Sequence, residues 1–148
     1  MTELIRSIVL SLLALLAAAG ILLAVLFSGG YERTIALNWD LELPRSSGCL
    51  YETDSGASFH GDGLRYHVLE YAPGSGLAEA LERQTAELSP ADCPAEAIWE
   101  ELSVPMDWRP DPEACRCFTK EHPTDPRNTL CLLLSADGTR LYAAESFL

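Results

Sequence analysis

The chain has 148 residues, a formal net charge of −12 at neutral pH and 48% hydrophobic residues. Its length suits one domain behind a short apolar N-terminal segment and is too small for two domains. Such an acidic surface repels phosphate groups. The composition therefore argues against a nucleic-acid partner and against attraction to anionic lipid headgroups.

The N-terminal segment from Ser7 to Phe27 contains no charged residue. As a helix it would reach about 31 Å at roughly 1.5 Å per residue, which matches the hydrocarbon core of a bilayer. A cleaved signal peptide has an apolar stretch of only about 7 to 15 residues. The pattern predicts a tail and transmembrane anchor at residues 1–30 and one small acidic domain at residues 31–148. The alternatives are cleavage near Ala17, Ala18 and Ala19, and a buried soluble helix.

The orientation of this span is predicted from the basic residues that flank it. Arg6 lies on one side, and Arg33 and Arg45 lie on the other, so the count is nearly balanced. The short N-terminal tail and the acidic domain favour an N-terminus inside the cytoplasm. We therefore expect a single-pass protein of the cell membrane whose domain lies outside the cytoplasm.

Alternation of apolar residues with a period of two predicts several strands in the domain. The clearest example places five apolar side chains on one side, at Ile35, Leu37, Trp39, Leu41 and Leu43. Further strands are predicted at Cys49 to Thr53, Leu64 to Tyr71, Cys115 to Glu121, Thr129 to Ala136 and Thr139 to Phe147. Asp137-Gly138 between the last two is a strong hairpin signal.

The period changes to about 3.6 in the middle of the domain. Leu77, Leu81 and Leu88 share one face, which predicts an amphipathic helix with Ser75 as its cap. A short helical turn is predicted at Pro94 to Leu102. The fold class is therefore α+β, with an N-terminal transmembrane helix followed by a mostly antiparallel sheet with one or two helices packed on one face.

All five cysteines lie in the domain, at Cys49, Cys93, Cys115, Cys117 and Cys131. This distribution is typical of an oxidising compartment and predicts structural disulfides, with at least one thiol unpaired within the chain. Cys115 and Cys117 would share one face of a strand, with Cys131 near them on a pairing strand. Buried free thiols are the alternative. The Cys-Arg-Cys spacing matches neither a zinc site nor a thioredoxin-like active site.

A polar loop from Asp54 to Gly63 separates the second and third predicted strands. One interpretation is a tight connection in which the glycines adopt positive φ and Phe59 packs into the core. The other is a ligand-binding or acid–base site on this loop, joined by a residue of the following strand. Its candidate residues are Phe59, His60, Asp62 and His67, with Glu70 as a further candidate. His122, before Pro123, is expected to be an exposed loop residue.

The run Phe-His-Gly-Asp-Gly, which ends at Gly63, resembles a motif in small membrane-anchored proteins of Gram-positive bacteria whose function is uncharacterised. Those proteins carry His-Gly-Gly before the Phe, whereas this chain has Gly56-Ala57-Ser58 there. The missing histidine argues against a metal site. The resemblance implies an anchored, extracytoplasmic architecture and no particular activity.

Three hypotheses for the function follow from these features. The first is a membrane-tethered extracytoplasmic protein, a non-enzymatic binding or accessory module with a protein partner in the cell envelope. The second is a metal-dependent or acid–base enzyme centred on His60, Asp62 and His67. The third is a thiol–disulfide protein that uses Cys115 and Cys117. No cofactor is expected, no metal ligands are assigned, and no catalytic residue is identified.

Overall fold

The computed structural model describes residues 2–27, 29–56 and 62–148, and within residues 2–27 it describes the side chains of residues 8, 9 and 11–21. The α-helices are α1 (Thr2–Phe27), α2 (Tyr31–Trp39), α3 (Leu77–Gln84) and α4 (Ala95–Glu101). The strands are β1 (Gly48–Asp54), β2 (Gly63–Glu70), β3 (Ala86–Leu88), β4 (Cys115–Glu121), β5 (Thr129–Ser135) and β6 (Arg140–Phe147). Short 3₁₀ turns lie at Pro90–Asp92, Met106–Trp108 and Pro112–Ala114.

The strands form one antiparallel sheet in the order β1-β2-β6-β5-β4-β3. After the β1–β2 hairpin, the chain crosses through α3 to β3 at the opposite edge, and β4, β5 and β6 return strand by strand to β2. The predicted antiparallel sheet is confirmed. The predicted hairpin between β5 and β6 is also present, because the amide of Gly138 donates to the carbonyl of Ser135 over 2.9 Å. Gly138 has a φ of 70°, which a residue without Cβ adopts at little cost.

Helices cover both faces of this sheet. On one face, called the α2 face below, α2 and α3 pack through Ile35, Trp39, Leu77 and Leu81. On the other, called the α4 face, α4 packs through Ala95, Ile98 and Trp99. The prediction that the helices pack on one face is wrong, because the run from Leu130 to Leu134 in β5 is apolar on both sides. Every residue of that run is buried, so both faces require a cover.

The predicted transmembrane helix is wrong. Within the part of the chain that the structure describes, no helix combines the length and the apolarity that a membrane span needs. α1 itself is a helix of 26 residues.

The first predicted strand is also wrong, because the residues from Tyr31 to Trp39 form α2. The buried side chains of α2 are Glu32, Ile35 and Trp39, which are spaced by three and four residues as on one side of a helix. Leu37, which a strand would place beside Ile35, is 78% exposed. Residues four apart share a face in a helix and in a strand, so Ile35 and Trp39 are compatible with both patterns.

The helix α3 is shorter than predicted, because the chain becomes extended at Thr85. The residue at its N-cap is Gly76, and no side chain makes a capping hydrogen bond there, so Ser75 is not the cap. Leu88, which was expected on the helix, lies in β3 opposite Cys117 and packs on the α4 face. A strand of only three residues is too short to produce a recognisable period in the sequence.

A pair of substitutions in α2 distinguishes the helix from the predicted strand. Ile35→Ala should lower the free energy of unfolding by about 2–4 kcal/mol, because it leaves a cavity under α2. Leu37→Ala should change it by no more than about 0.5 kcal/mol, because Leu37 faces solvent. Urea unfolding followed by tryptophan fluorescence measures both values. Comparable losses for the two variants would contradict the helix.

Candidate functional site

The residues predicted at the polar loop lie only partly in the described structure. Phe59 and His60 are outside the described residues. Asp62 is exposed. The pKa of Arg127 is raised mainly by its hydrogen bond with Asp125, and the negative charge of Asp62 raises it further. His67 is buried farther along β2, and no described contact joins it to Asp62. Glu70, at the far end of β2, is separate from both.

His67 lies against α2 in a dry environment and is 7% exposed. Its ring stacks on that of Tyr31 with the centroids 3.3 Å apart, and its Nε2 lies 3.7 Å from a carboxylate oxygen of Glu52. Its Nδ1 is buried without a hydrogen-bond partner among the described residues. Burial, followed by the charge of Arg65, lowers the pKa of His67 to about 4. The ring is therefore neutral at neutral pH.

Beside His67 lies the carboxylate of Glu145, which is 0% exposed. It accepts hydrogen bonds from the hydroxyl of Tyr31 and, over 2.5 Å, from the indole nitrogen of Trp39. Arg65 occupies the opposing position in β2, and its charge favours the carboxylate. Burial nevertheless raises the pKa of Glu145, because desolvation outweighs these contributions. Tyr31, Trp39, Arg65, His67 and Glu145 are called the Glu145 cluster below.

Sequence reasoning found only His67 of this cluster. Tyr31 and Trp39 come from α2, Arg65 comes from β2 beside His67, and Glu145 comes from β6, so the cluster assembles only in the folded chain. One signal was available, because Glu145 shares a strand face with Leu141 and Ala143, and a charged residue on an apolar face requires a buried partner. The partner could not be predicted, because Trp39 was assigned to a strand and not to the helix that packs on Glu145.

The prediction that His122 is an exposed loop residue is wrong, because its side chain is half-buried. Its Nδ1 accepts hydrogen bonds from the amides of Thr124 and Asp125, over 3.3 and 3.1 Å. Its ring packs edge-on against Trp39 with the centroids 5.0 Å apart. One ring nitrogen is thus occupied by the turn, and the ring serves to pack the end of the sheet.

The cysteines form one disulfide, between Cys93 and Cys131, whose Cα atoms are 6.4 Å apart. Structural disulfides are thus confirmed for one pair, while Cys49, Cys115 and Cys117 are free. Burial raises the pKa of Cys115 to about 11 and raises the pKa of Cys117, and nearby negative groups add to both shifts. Both thiols are therefore protonated at neutral pH, whereas a reactive cysteine has a lowered pKa.

Two adjoining depressions on the α4 face have volumes of about 510 and 360 Å³, and both are lined by Pro110 and Asp111. Together they are called the acidic groove below. Five carboxylates line it, those of Glu70, Glu96, Glu100, Asp111 and Asp137, against two arginines, Arg109 and Arg140. Its residues come from four separate parts of the sequence, so no local motif marks it.

The orientation of two groove residues is fixed by local hydrogen bonds. Asp137 accepts from the hydroxyl of Ser135 over 2.6 Å, the main reason that its pKa falls to about 2. The guanidinium of Arg109 donates to the carbonyls of Val104 and Trp99, over 2.7 and 3.2 Å. Arg109 is therefore held in place by the backbone and keeps its charge, and the groove is acidic because its five carboxylates outnumber its two arginines.

A third depression, of about 530 Å³, lies beside the start of α2. It is lined by two carboxylates and two arginines, those of Glu32, Glu42, Arg33 and Arg45, so the formal charges of its lining cancel. Glu32 also accepts hydrogen bonds from the amide and the hydroxyl of Ser46. This depression lacks the excess of carboxylates over arginines that distinguishes the acidic groove.

Within the described ranges, no group of three or more His, Cys, Asp or Glu side chains is arranged to hold a metal ion. Comparison with protein-family models, with curated proteins and with solved structures found no match. The function must therefore be inferred from the structure of the chain itself. It offers a buried polar cluster on one face of the sheet and an open acidic groove on the other.

The buried state of His67 predicts a loss of stability in acid. Its pKa is about 4 in the folded chain and 6.5 ordinarily, so the unfolded chain takes up a proton more readily. The contribution of neutral His67 to the free energy of unfolding is therefore present above about pH 6.5 and is lost as the pH falls toward 4. The loss is at most about 3 kcal/mol. His67→Phe keeps a ring against Tyr31 and should lack this acid-dependent loss in urea unfolding at a series of pH values. An equal loss in the variant would show that His67 is not its source.

Proposed function

We propose that the domain is a non-enzymatic binding module that holds a basic segment of a protein partner in the acidic groove, in a compartment outside the cytoplasm. The observation that carries this proposal is the pair of adjoining depressions that share Pro110 and Asp111, with five carboxylates and two arginines in their lining. A groove lined mainly by one sign of charge concentrates ligands of the opposite sign and accelerates their association.

The lining also contains apolar surface suited to a peptide. Met106, which is 75% exposed, supplies most of that surface together with Pro110 and Pro112, beside the buried rings of Trp99 and Tyr142. Lysine and arginine side chains place their methylene stems on such surface while the charged group reaches a carboxylate. The net charge of −12 adds long-range attraction for a basic partner.

The polar groups elsewhere in the described structure favour binding over catalysis. Glu145 is fully buried, so a substrate would have no access to its carboxylate. His67 is buried and neutral, and one nitrogen of His122 is occupied by the turn. The free thiols of Cys115 and Cys117 have raised pKa values. Glu145, His67 and the two thiols therefore lack the exposure or the pKa that acid–base or nucleophilic chemistry requires.

The disulfide between Cys93 and Cys131 supports the extracytoplasmic location, because such bonds persist in oxidising compartments. Cys131 is fully buried in β5, and Cys93 comes from the segment that leads into α4. The bond therefore ties the connection before α4 to the centre of the sheet. In this way it fixes one wall of the acidic groove.

A titration with a short arginine-rich peptide, followed by NMR of the backbone amides, tests this proposal. Shifts should concentrate at residues 96–100, 110–115 and 135–142, and affinity should fall as salt is added because the contacts are exposed ion pairs. Asp111→Asn should weaken binding by about three- to tenfold, since Asp111 lines both depressions.

The matched control is Glu79→Gln, which removes an exposed carboxylate from α3 on the opposite face of the sheet. This variant should bind as the unmodified chain does. Equal weakening by both variants would indicate attraction to overall charge alone and would overturn the groove as the site. Shifts confined to the α2 face would overturn it as well.

A further inference from the structure

Two free thiols stand side by side at the acidic groove. Cys115 and Cys117 are alternate residues of β4 and both belong to the α4 face. Cys115 is half-buried and lines the groove, whereas Cys117 is 1% exposed with its sulfur 4.0 Å from the carbonyl of Pro112. Both remain free although the Cys93–Cys131 disulfide lies on the same face of the sheet.

The strand keeps these two sulfurs from bonding to each other. Alternate residues of a strand are about 6.7 Å apart, and their Cα–Cβ bonds are nearly parallel. A disulfide requires Cβ atoms about 3.5–4.5 Å apart. The two thiols are therefore neighbours that cannot form a disulfide with each other while β4 stays extended between β3 and β5.

The same spacing suits a small ion between the sulfurs. Each metal–sulfur bond is about 2.3 Å long, so two sulfurs on opposite sides of one ion lie roughly 4.6 Å apart. Side chains that start about 6.7 Å apart can lean together to that distance. Zinc would need four ligands, and the described residues offer no group of three donors. A soft monovalent ion such as Cu(I) is satisfied by two thiolates.

Both thiols have negatively charged groups nearby. Asp111 raises the pKa of Cys115, and Glu113 does the same for Cys117, in each case as a smaller cause than burial. Replacing two protons by one Cu(I) leaves one net negative charge on the pair, which these groups disfavour, so the two metal–sulfur bonds must outweigh that cost. The acidic groove provides the path from solvent, because Cys115 forms part of its lining.

We propose that Cys115, in the lining of the acidic groove, and the buried Cys117 beside it form a two-coordinate site for a soft monovalent metal ion, Cu(I). Binding forms two metal–sulfur bonds and breaks two S–H bonds, and both protons leave to solvent. No electron is transferred, so the ion stays Cu(I) and the Cys93–Cys131 disulfide is unchanged. This proposal does not depend on the binding of a basic peptide, because the metal ligands are the two sulfurs, whereas the peptide would bind to the carboxylates.

The test is an anaerobic competition in which the intact chain takes Cu(I) from its coloured complex with bicinchoninate. The unmodified chain should bind one ion and release two protons, because both thiols start protonated. Cys115→Ala and Cys117→Ala should each lower the affinity by at least about 100-fold, because each removes one of two ligands. X-ray absorption should show two sulfur neighbours at about 2.2–2.3 Å.

The matched control is Cys49→Ala, which removes the exposed thiol of β1 and should leave the affinity unchanged. Circular dichroism establishes that each variant is folded, and Cys115→Ala alone decides the question if Cys117→Ala does not fold. No binding by the unmodified chain would overturn the proposal. Binding that survives Cys115→Ala and disappears with Cys49→Ala would overturn it as well.

Discussion

A carboxylate with no exposure to water, that of Glu145, holds α2 on the sheet through its hydrogen bonds with Tyr31 and Trp39 at the two ends of that helix. A buried carboxylate costs several kcal/mol in lost hydration, which these donors and the charge of Arg65 offset. Loss of one donor from such a group costs about 1–3 kcal/mol. The position of α2 in turn covers the apolar residues of the α2 face and excludes water from His67. The low pKa of His67 and the raised pKa of Glu145 are both consequences of this arrangement.

The parts of the fold that could be predicted are those fixed by local chemistry. The strands β2, β4 and β6 follow from alternation, and β5 follows from a short apolar run. Turn residues such as Asp137-Gly138 mark their ends, and all these signals act over a few residues. The assignment failed at α2, because Ile35 and Trp39 are four residues apart and satisfy both periods. The burial of Glu32 and the exposure of Leu37 separate the two, and both depend on which element covers the sheet. The cover on the second face was missed for the same reason, since the run in β5 is apolar throughout.

The candidate site was harder to predict than the fold, because its parts meet only through the sheet. The acidic groove combines Glu70, Glu100, Asp111 and Asp137 from distant segments. The cysteines show the limit most clearly. Alternation places Cys115 and Cys117 on one face, but the pairing of Cys93 with Cys131 depends on how the segment before α4 crosses β5. The two faces now have separate roles, with structural polar contacts on the α2 face and the proposed binding surface on the α4 face.

Hydrogen exchange of the backbone amides in the unmodified chain and in Glu145→Ala tests most directly whether Glu145 holds α2 on the sheet. The substitution leaves the hydroxyl of Tyr31 and the indole of Trp39 without their acceptor. Protection of the α2 amides should fall by at least about tenfold, while the amides of α4, on the opposite face, should keep theirs. Unchanged protection in α2, or an equal fall in α2 and α4, would contradict the account.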